Sequence, residues 1–264
     1  MYGPDLLYEV QDNVAVITFN RPNVRNALRS QSIELLQALL GRVASDPGLR
    51  ALVLTGAGTA FCAGRDLKDQ DALNRDNPPR DAVAALAEQY QDLTRSLTRM
   101  EKIVVSAING VAVGIGAELA AASDVRLAAP GARVAFPEVR RALFLTNGVL
   151  YRLPRIVGLG RATEWILTGR MLDADELVAA GFVSRIVAAE RLLPDALATA
   201  RIMTQHAPLP MRMAKDLLNR AYDVDLETML ALERDALVKC VASEDYREGI
   251  RAFVEKREPR FTGN

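Results

Sequence analysis

The hydrophobic residues in the N-terminal half of this chain follow two alternating patterns. Apolar runs without regular polar interruption occupy 14–19, 51–55 and 103–108. Such runs are typical of strands in a parallel sheet that is covered on both faces. Between them, apolar residues recur at intervals of three and four over 33–43 and 83–100, which predicts two amphipathic helices. This order predicts an α/β fold with right-handed crossovers and a largely parallel sheet.

The distribution of small and polar residues predicts further elements along the chain. A helix of small residues is predicted over about 116–122, followed by a strand at 125–128. The polar stretch 69–81, which contains two adjacent prolines, predicts a mobile loop. Beyond about residue 152 the pattern is mainly helical, with one extended segment at 183–187. The helices after that segment predict a separate C-terminal region.

Length and composition agree with one α/β core and a helical extension. The chain has 264 residues, of which 50% are hydrophobic, enough to bury a sizeable core. We assign the core to residues 1–190 and the helical region to residues 191–264. The 33 basic and 33 acidic side chains balance, which argues against binding to nucleic acid or to an anionic membrane.

The sequence lacks the signals of export or membrane insertion. The N-terminus has no basic segment followed by an apolar run, and no stretch approaches the roughly 20 apolar residues of a membrane-spanning helix. Cys62 and Cys240 do not make a disulfide framework. We therefore expect a cytoplasmic protein.

Metal and dinucleotide chemistry have little support in the sequence. His206 is the only histidine, and the two cysteines lack the spacing of zinc ligands. Gly56-Ala57-Gly58 and Gly114-Ile115-Gly116 each begin a G-x-G-x-x-G motif, but Phe61 and Leu119 stand where the third glycine belongs. We expect neither a metal nor a nicotinamide cofactor.

Two connections rich in glycine and alanine are the candidate site. Residues 56–67 follow the strand at 51–55, and residues 109–118 follow the strand at 103–108. Ligands of parallel sheets bind at the carboxyl ends of strands, and a helix N-terminus presents main-chain N–H groups. Two such groups converging on a carbonyl oxygen form an oxyanion hole, worth about 3–4 kcal/mol per donor. Tight turns and close helix–strand packing explain either connection alone equally well.

Two glutamates near these connections are candidates for proton transfer. Glu118 lies among small and apolar residues, where burial would raise the pKa of its carboxyl toward neutrality. Glu138 follows Pro137. Each also has an ordinary structural explanation, since glutamate is favoured in the first turn of a helix. Together with an oxyanion hole, two carboxylates suffice for acid/base chemistry beside a polarised carbonyl.

Several segments, in this order and spacing, resemble the enoyl-CoA hydratase/isomerase (crotonase) superfamily along the whole chain. The matching segments are Asn20-Arg21-Pro22 with Asn26-Ala27-Leu28, Phe61 to Leu67, Ile108 to Asp124, Phe136-Pro137-Glu138, Leu153-Pro154-Arg155, Leu167-Thr168-Gly169, Ala180 to Val183, and Phe253 to Arg257. The resemblance implies a spiral of ββα units and a helical C-terminal region that supports a homotrimer or a dimer of trimers. It also implies an acyl-CoA thioester as ligand, with no cofactor beyond the coenzyme A of the substrate.

The resemblance also assigns roles to individual positions. The main-chain N–H groups of Arg65 and Ile115 would form the oxyanion hole, and Glu118 and Glu138 would be the catalytic glutamates. The implied contacts to the acyl-CoA are Val24, Arg25, Ala27, Ala63, Gly64, Asp66, Leu67, Gly114 and Gly116, with Phe253 and Lys256 from a neighbouring subunit. For Arg25 and Lys256, ordinary surface charge is an equal alternative.

Three functions remain open at this point. The two glutamates favour hydration of a 2-enoyl-CoA to a 3-hydroxyacyl-CoA, whereas double-bond isomerisation needs one carboxylate and no water. A non-catalytic acyl-CoA-binding protein is the third. Ile115 stands where the family commonly has glycine. Many hydratases have a glycine near Ala142, a proline near Leu145 and a glycine-rich turn near 146–149, and residues 139–149 of this chain differ from that pattern. Because this segment is expected to shape the acyl pocket, it bears on the substrate and on the reaction.

Overall fold

The apolar runs form a six-stranded sheet in the computed structural model, which describes residues 3–69 and 76–264. The strands of the chain are β1 (Leu6–Gln11), β2 (Val14–Phe19), β3 (Ala51–Gly56), β4 (Ala60–Cys62), β5 (Ile103–Ile108), β6 (Val111–Val113), β7 (Val125–Ala128), β8 (Arg133–Ala135), β9 (Leu172–Asp173) and β10 (Arg185–Ile186). The order of the strands in the six-stranded sheet is β1-β2-β3-β5-β7-β10. Apart from the antiparallel pair β1–β2, the pairs of this sheet are parallel.

Both faces of the six-stranded sheet are buried, which explains its uninterrupted apolar runs. Successive side chains of a strand point to opposite faces. Accordingly, Ile17 and Leu54 belong to one apolar cluster, whereas Val16 and Val53 belong to another on the opposite face. Most positions of these runs are therefore apolar, as the sequence predicts.

Helices of the first unit pack on the sheet. The helices of the chain are α1 (Ser30–Ser45), α2 (Arg80–Arg99), α3 (Ile115–Ala122), α4 (Val149–Val157), α5 (Leu159–Thr168), α6 (Ala174–Ala179), α7 (Leu192–Thr204), α8 (Pro208–Asn219), α9 (Leu226–Ala242) and α10 (Glu244–Glu255). The apolar positions at spacings of three and four in α1 and α2 are the buried ones, among them Leu36, Leu40 and Leu93. The predictions of α1, α2 and α3 are confirmed. Of the loop predicted at 69–81, residues 70–75 lie outside the described residues, and α2 begins at Arg80.

A second, smaller sheet is absent from the predictions. Its strand order is β4-β6-β8-β9, with β4, β6 and β8 parallel and β9 antiparallel to β8. Strands of two or three residues are too short to leave a periodic signal, so the sequence pattern does not reveal them. This small sheet nevertheless positions the candidate site.

The chain forms two compact units that divide between Ala200 and Arg201. The first is a mixed α/β unit that contains both sheets. The second, residues 201–264, contains the helices α8, α9 and α10. The prediction of an α/β fold with a helical C-terminal region is confirmed. The roles assigned to residues 1–190 and 191–264 stay predictions.

Candidate active site

Three neighbouring parallel strands of the small sheet end at one place. Strand β4 leads into the segment Ala63–Leu67, β6 into Gly114 and α3, and β8 into Phe136-Pro137-Glu138. The carboxyl ends of parallel strands meet at one edge of a sheet, which is where ligands bind in such folds. The two predicted connections do meet there. The strands that end at the site are β4 and β6, however, rather than β3 and β5 as the sequence predicts.

The segment after β4 is held by residues near the N-terminus. Leu28 and Arg65 form an isolated parallel bridge. In it the N–H of Leu28 donates to the Gly64 carbonyl at 2.8 Å, and the N–H of Asp66 donates to the Leu28 carbonyl at 2.8 Å. The Arg21 guanidinium donates to the Asp66 carboxylate at 2.8 Å. These contacts explain why separate N-terminal motifs accompany the segment 61–67.

A buried asparagine, Asn26, fixes the turn between β3 and β4, which precedes this segment. The side-chain amide of Asn26 donates to the carbonyls of Ala57 at 2.9 Å and Ala60 at 2.7 Å. Its side-chain oxygen accepts the N–H of Arg21 at 2.8 Å. Gly56, the start of the first glycine motif, lies in this turn, where an added Cβ would be 2.0 Å from the Ala60 carbonyl oxygen. At Gly56, close packing therefore accounts for the glycine.

The segments after β4 and β6 approach each other closely at Gly64. Gly64 has φ of 96°, a conformation that disfavours side chains. An added Cβ there would lie 2.7 Å from the Val113 carbonyl oxygen and 3.8 Å from the Ile115 nitrogen. Arg65, which follows Gly64, and Ile115 both line the same cavity.

The turn after β6 requires glycine at position 114, both for its φ angle and for its close packing against Glu138. Gly114 has φ of 54° and precedes the first residue of α3. An added Cβ would lie 2.9 Å from Oε1 of Glu138. The N–H of Ile115 is in the first turn of α3, where the helix itself supplies no acceptor. This geometry places a helix N-terminus beside the Glu138 carboxylate.

Glu118 is buried and Glu138 is partly buried, and each has one buried oxygen that no described protein group satisfies. Glu118 is 3% exposed in the first turn of α3. Its Oε2 accepts the side-chain N–H of Asn147 at 2.6 Å. Oε1 of Glu118 and Oε2 of Glu138 are buried and have no hydrogen-bond partner among the described residues. Buried polar atoms are rarely left unsatisfied, so these two oxygens indicate a binding place for a polar ligand or water.

The carboxyls of both glutamates hold their protons more tightly than ordinary glutamates do. Burial, with a further contribution from the charge of Glu138, raises the pKa of Glu118 to about 8. Burial also raises the pKa of Glu138, against the opposing effect of the positive charge of Arg141. A pair of this kind keeps one proton near neutral pH and can both give and accept one.

These groups face one cavity of about 350 Å³. Its wall combines the predicted site residues with apolar side chains. The lining residues are Ala63, Gly64, Arg65, Leu67, Val83, Ala87, Tyr90, Val113, Gly114, Ile115, Glu118, Pro137, Glu138, Arg141, Ala142, Leu143, Phe144 and Thr146. A mostly apolar wall with a few convergent polar groups is typical of a small-molecule site.

Other predicted contact residues lie outside this lining. Val24 is 42% exposed, and Arg25 has φ of 52° at the end of a short 3₁₀ turn. The carbonyl of Ala27 accepts from Arg21 at 2.7 Å, and Asp66 is paired with Arg21. Gly116 packs against β4.

Phe253 and Lys256 belong to the second unit. Phe253 is 85% exposed near the end of α10. Lys256 follows that helix with φ of 55°. Their predicted contact with coenzyme A stays a prediction.

The sequence predictions miss several residues of the cavity. Val83, Ala87 and Tyr90 contribute from α2, whose helical pattern signals burial but not the face that borders a ligand. Phe144 is 71% exposed although it is large and apolar. It lies in the segment 139–149, whose departure from the family pattern is the one available signal for this part of the wall.

The described part of the chain contains neither a cluster of metal-ligating side chains nor a membrane-spanning helix. No group of three or more histidine, cysteine, aspartate or glutamate side chains is placed there to hold a metal ion. Among the helices of residues 3–69 and 76–264, none combines the length and hydropathy needed to cross a membrane.

The raised pKa of Glu118 predicts a pH-dependent stability. The folded protein binds this proton more tightly than the unfolded chain, whose glutamate titrates near 4.5. The stabilisation is fully present below that value and is lost as the pH rises through about 8. We expect the free energy of unfolding to fall by a few kcal/mol over this range. Urea unfolding of the wild type and of Glu118→Gln measures it.

The difference between the two proteins reports the pH dependence that the Glu118 carboxyl causes, including its coupling to Glu138. Glu118→Gln should lose this part of the pH dependence, whereas Glu34→Gln, at an exposed position of α1, should retain it. Equal pH slopes for the wild type and Glu118→Gln would contradict a raised pKa at Glu118.

The fold and the site define an α/β protein with a pair of carboxylates, one buried and one partly buried, beside the N-terminus of a short helix. The family model described as enoyl-CoA hydratase/isomerase matches residues 9–264. The chain belongs to this family.

Individual relatives are similar over nearly their whole length. The chain is 33% identical to the short-chain-enoyl-CoA hydratase of Clostridium acetobutylicum over 255 residues, 96% of either protein. It is 35% identical to the 1,2-epoxyphenylacetyl-CoA isomerase of Escherichia coli over 258 residues, 98% of either protein. The crystal structure of an enoyl-CoA hydratase from Bacillus anthracis superimposes with a TM-score of 0.92 at 33% identity, over 98% of this chain and 100% of that one. The family and fold indicated by the sequence resemblance are confirmed.

Proposed function

We propose that this protein is an enoyl-CoA hydratase, which adds water across the 2,3 double bond of an acyl-CoA thioester to give a 3-hydroxyacyl-CoA. The observation that carries the proposal is the pair of unsatisfied carboxylate oxygens, Oε1 of Glu118 and Oε2 of Glu138, in one cavity. An isomerase needs one proton-shuttling carboxylate. Two carboxylates with unused oxygens fit a reaction that must also hold and activate a water molecule.

The rim of the cavity supplies the electrophilic part of the mechanism. The main-chain N–H groups of Arg65 and Ile115 donate to the thioester oxygen, and the N-terminus of α3 adds its positive dipole end. Negative charge that develops on this oxygen as water adds is stabilised by donors already in place. Each such donor is worth about 3–4 kcal/mol in comparable sites.

The glutamate pair supplies the proton transfers. Glu118 and Glu138 hold the water through their unused oxygens. One carboxylate removes a proton from the water as its oxygen bonds to Cβ, and the other carboxyl gives its proton to Cα. The double bond is thereby replaced by C–OH and C–H bonds, and the pair ends with the proton count it began with.

The apolar wall provides for the acyl group. Leu67, Tyr90 and Phe144 present apolar surface beside the carboxylates. The proposal includes an acyl-CoA as the sole organic ligand, with no separate cofactor. It also includes assembly into a homotrimer or a dimer of trimers, which light scattering of the purified protein measures.

Double-bond isomerisation is the second candidate. It is favoured by the family model, which is described as enoyl-CoA hydratase/isomerase. Because isomerisation moves a proton between carbons and adds no water, only hydration adds an oxygen atom to the product.

An assay with 2-enoyl-CoA esters of increasing chain length, beginning with crotonyl-CoA, tests the proposal. We expect loss of the conjugated-thioester absorbance, and one labelled oxygen in the product when the reaction runs in ¹⁸O-water. Conversion of 3-enoyl-CoA esters without label would favour the isomerase. Binding of the esters without turnover at any chain length would overturn both and leave a binding protein.

A further inference from the structure

Asn147 joins the divergent segment 139–149 to the catalytic pair. The residue is 2% exposed. It immediately precedes Gly148, which has φ of 72° and is the N-cap residue of α4. Its side-chain nitrogen donates to Oε2 of Glu118 at 2.6 Å in a fully buried contact. Because the side chain makes this contact, the contact depends on the identity of residue 147.

The amide of Asn147 is itself held in orientation. Its main-chain carbonyl accepts the hydroxyl of Thr94, from α2, at 3.0 Å. Its side-chain oxygen accepts the hydroxyl of Thr146 at 3.2 Å. With the oxygen occupied by a donor, the NH₂ group is directed to Glu118.

We propose that Asn147 is a positioning residue that fixes Oε1 of Glu118 as the oxygen that exchanges the proton with substrate or water. An amide NH₂ group donates and cannot accept a proton, so Oε2 of Glu118 is engaged as an acceptor. The proton of this carboxyl, whether it is given or received, is then carried on Oε1. That oxygen is the buried one without a protein partner, on a residue that lines the cavity.

The same contact sets the balance between the two forms of Glu118. Hydrogen bonds from the main chain and side chain of Asn147 lower the pKa of Glu118, against the larger effect of burial. Donation to a carboxylate favours the charged form. Without the side-chain donor, the main-chain N–H of Asn147 remains, but the carboxyl would hold its proton more tightly still and its two oxygens would be less firmly distinguished.

The inference rests on the proposed hydration for the role of Glu118, and its test includes a measurement that needs no turnover. Asn147→Ala and Asn147→Leu both remove the side-chain donor and retain the main-chain N–H, and the leucine keeps branching at Cγ. Infrared difference spectra, with Glu118→Gln as the blank, follow the protonation of Glu118 with pH. We expect both variants to raise its apparent pKa by about one to two units.

The kinetic expectation is specific to positioning. With crotonyl-CoA, kcat should fall about 10–100-fold in both variants, because small displacements of a reacting group cost rates of this order. KM should change by less than about threefold, since Asn147 does not line the cavity. The limb of the pH–rate profile that reports Glu118 should move upward with the infrared titration.

Asn109→Ala is the matched control. Asn109 is a partly buried asparagine whose amide donates to the carbonyls of Gly56, Gly58 and Ala60 and contacts neither glutamate. Its replacement should lower the thermal midpoint of unfolding without moving the titration of Glu118.

The outcomes separate the inference from the proposed function. If Asn147 variants are destabilised as Asn109→Ala is, with the Glu118 titration unmoved, Asn147 is structural and the inference is wrong. A wild type that turns over no enoyl-CoA would overturn the hydratase proposal. Even then, an infrared shift in both Asn147 variants would support control of the Glu118 proton by Asn147, and no shift would overturn it.

Discussion

Replacing Glu118 by glutamine is expected to lower kcat for hydration of crotonyl-CoA about 10²–10⁴-fold, the range that positioned acid/base groups contribute. Glutamine keeps the shape of the side chain, and its carbonyl oxygen still accepts the N–H of Asn147. It cannot take or give the proton. Because Glu138 has an unused oxygen in the same cavity, Glu138→Gln should cause a loss of similar size. Initial rates over a range of crotonyl-CoA concentrations measure both.

The binding parameters distinguish lost chemistry from lost structure. Neither substitution removes the main-chain donors or the apolar wall, so KM should stay within about threefold of the wild type. Glu34→Gln, on the exposed side of α1, should retain full activity and stability. A Glu118→Gln enzyme that retained most of its kcat would exclude Glu118 from proton transfer, whatever its burial.

The double variant tests whether the carboxylates act as a unit. If one group removes the proton of water while the other protonates Cα, removing the second after the first costs little more. The combined loss should then be far smaller than the product of the single losses. Two fully multiplicative effects would indicate carboxylates that act independently.

Uninterrupted apolar runs made the large sheet predictable, and helical periodicity made its helices predictable. In β2 and β3 both faces are buried, so most residues are apolar and the run is visible in the sequence. In α1 and α2 the buried positions recur at helical spacing. Both patterns arise because buried positions are mostly occupied by apolar residues, and the order of residue types in the sequence shows this directly.

The small sheet that positions the site does not produce a recognisable pattern in the sequence. Strands β4, β6 and β8 have three residues each, fewer than any period can establish. The sequence therefore identifies glycine-rich connections but attaches them to the long strands β3 and β5. Resemblance to the family, rather than periodicity, points to Arg65 and Ile115 as donors.

Asn147 was beyond reach for a different reason. A single asparagine before a glycine is typical of any turn. Only the folded chain brings its amide to 2.6 Å from a carboxylate that precedes it by 29 residues. Contacts of this kind depend on tertiary packing between α3 and the start of α4, which a local pattern does not encode.

Substitution of Gly116 by alanine is expected to disrupt both the stability and the activity of the protein. Gly116 lies in α3, where an added Cβ would be 2.1 Å from the Cys62 carbonyl oxygen and 2.8 Å from the Cys62 Cβ. Real Cβ atoms do not approach backbone so closely, so β4 and α3 must separate. Overpacking of a buried contact costs about 1–3 kcal/mol, and more where backbone must shift. Urea unfolding measures the loss.

The same displacement should act on catalysis, because Cys62 is followed within three residues by Arg65. Moving β4 away from α3 separates the Arg65 and Ile115 N–H groups that receive the thioester oxygen. Loss of one well-placed oxyanion donor lowers kcat about 10²–10³-fold. We therefore expect Gly116→Ala to lose activity even at temperatures where the variant remains folded, as judged by circular dichroism.

Gly41→Ala separates this effect from helix propensity. Gly41 also lies inside a helix, α1, but an added Cβ there meets nothing within 4 Å. Alanine is favoured over glycine in a helix interior by about 0.5–1 kcal/mol, so this variant should be as stable as the wild type or slightly more, with unchanged kcat. If Gly116→Ala behaved as Gly41→Ala does, the close contact between α3 and β4 would not be what places the two amides together.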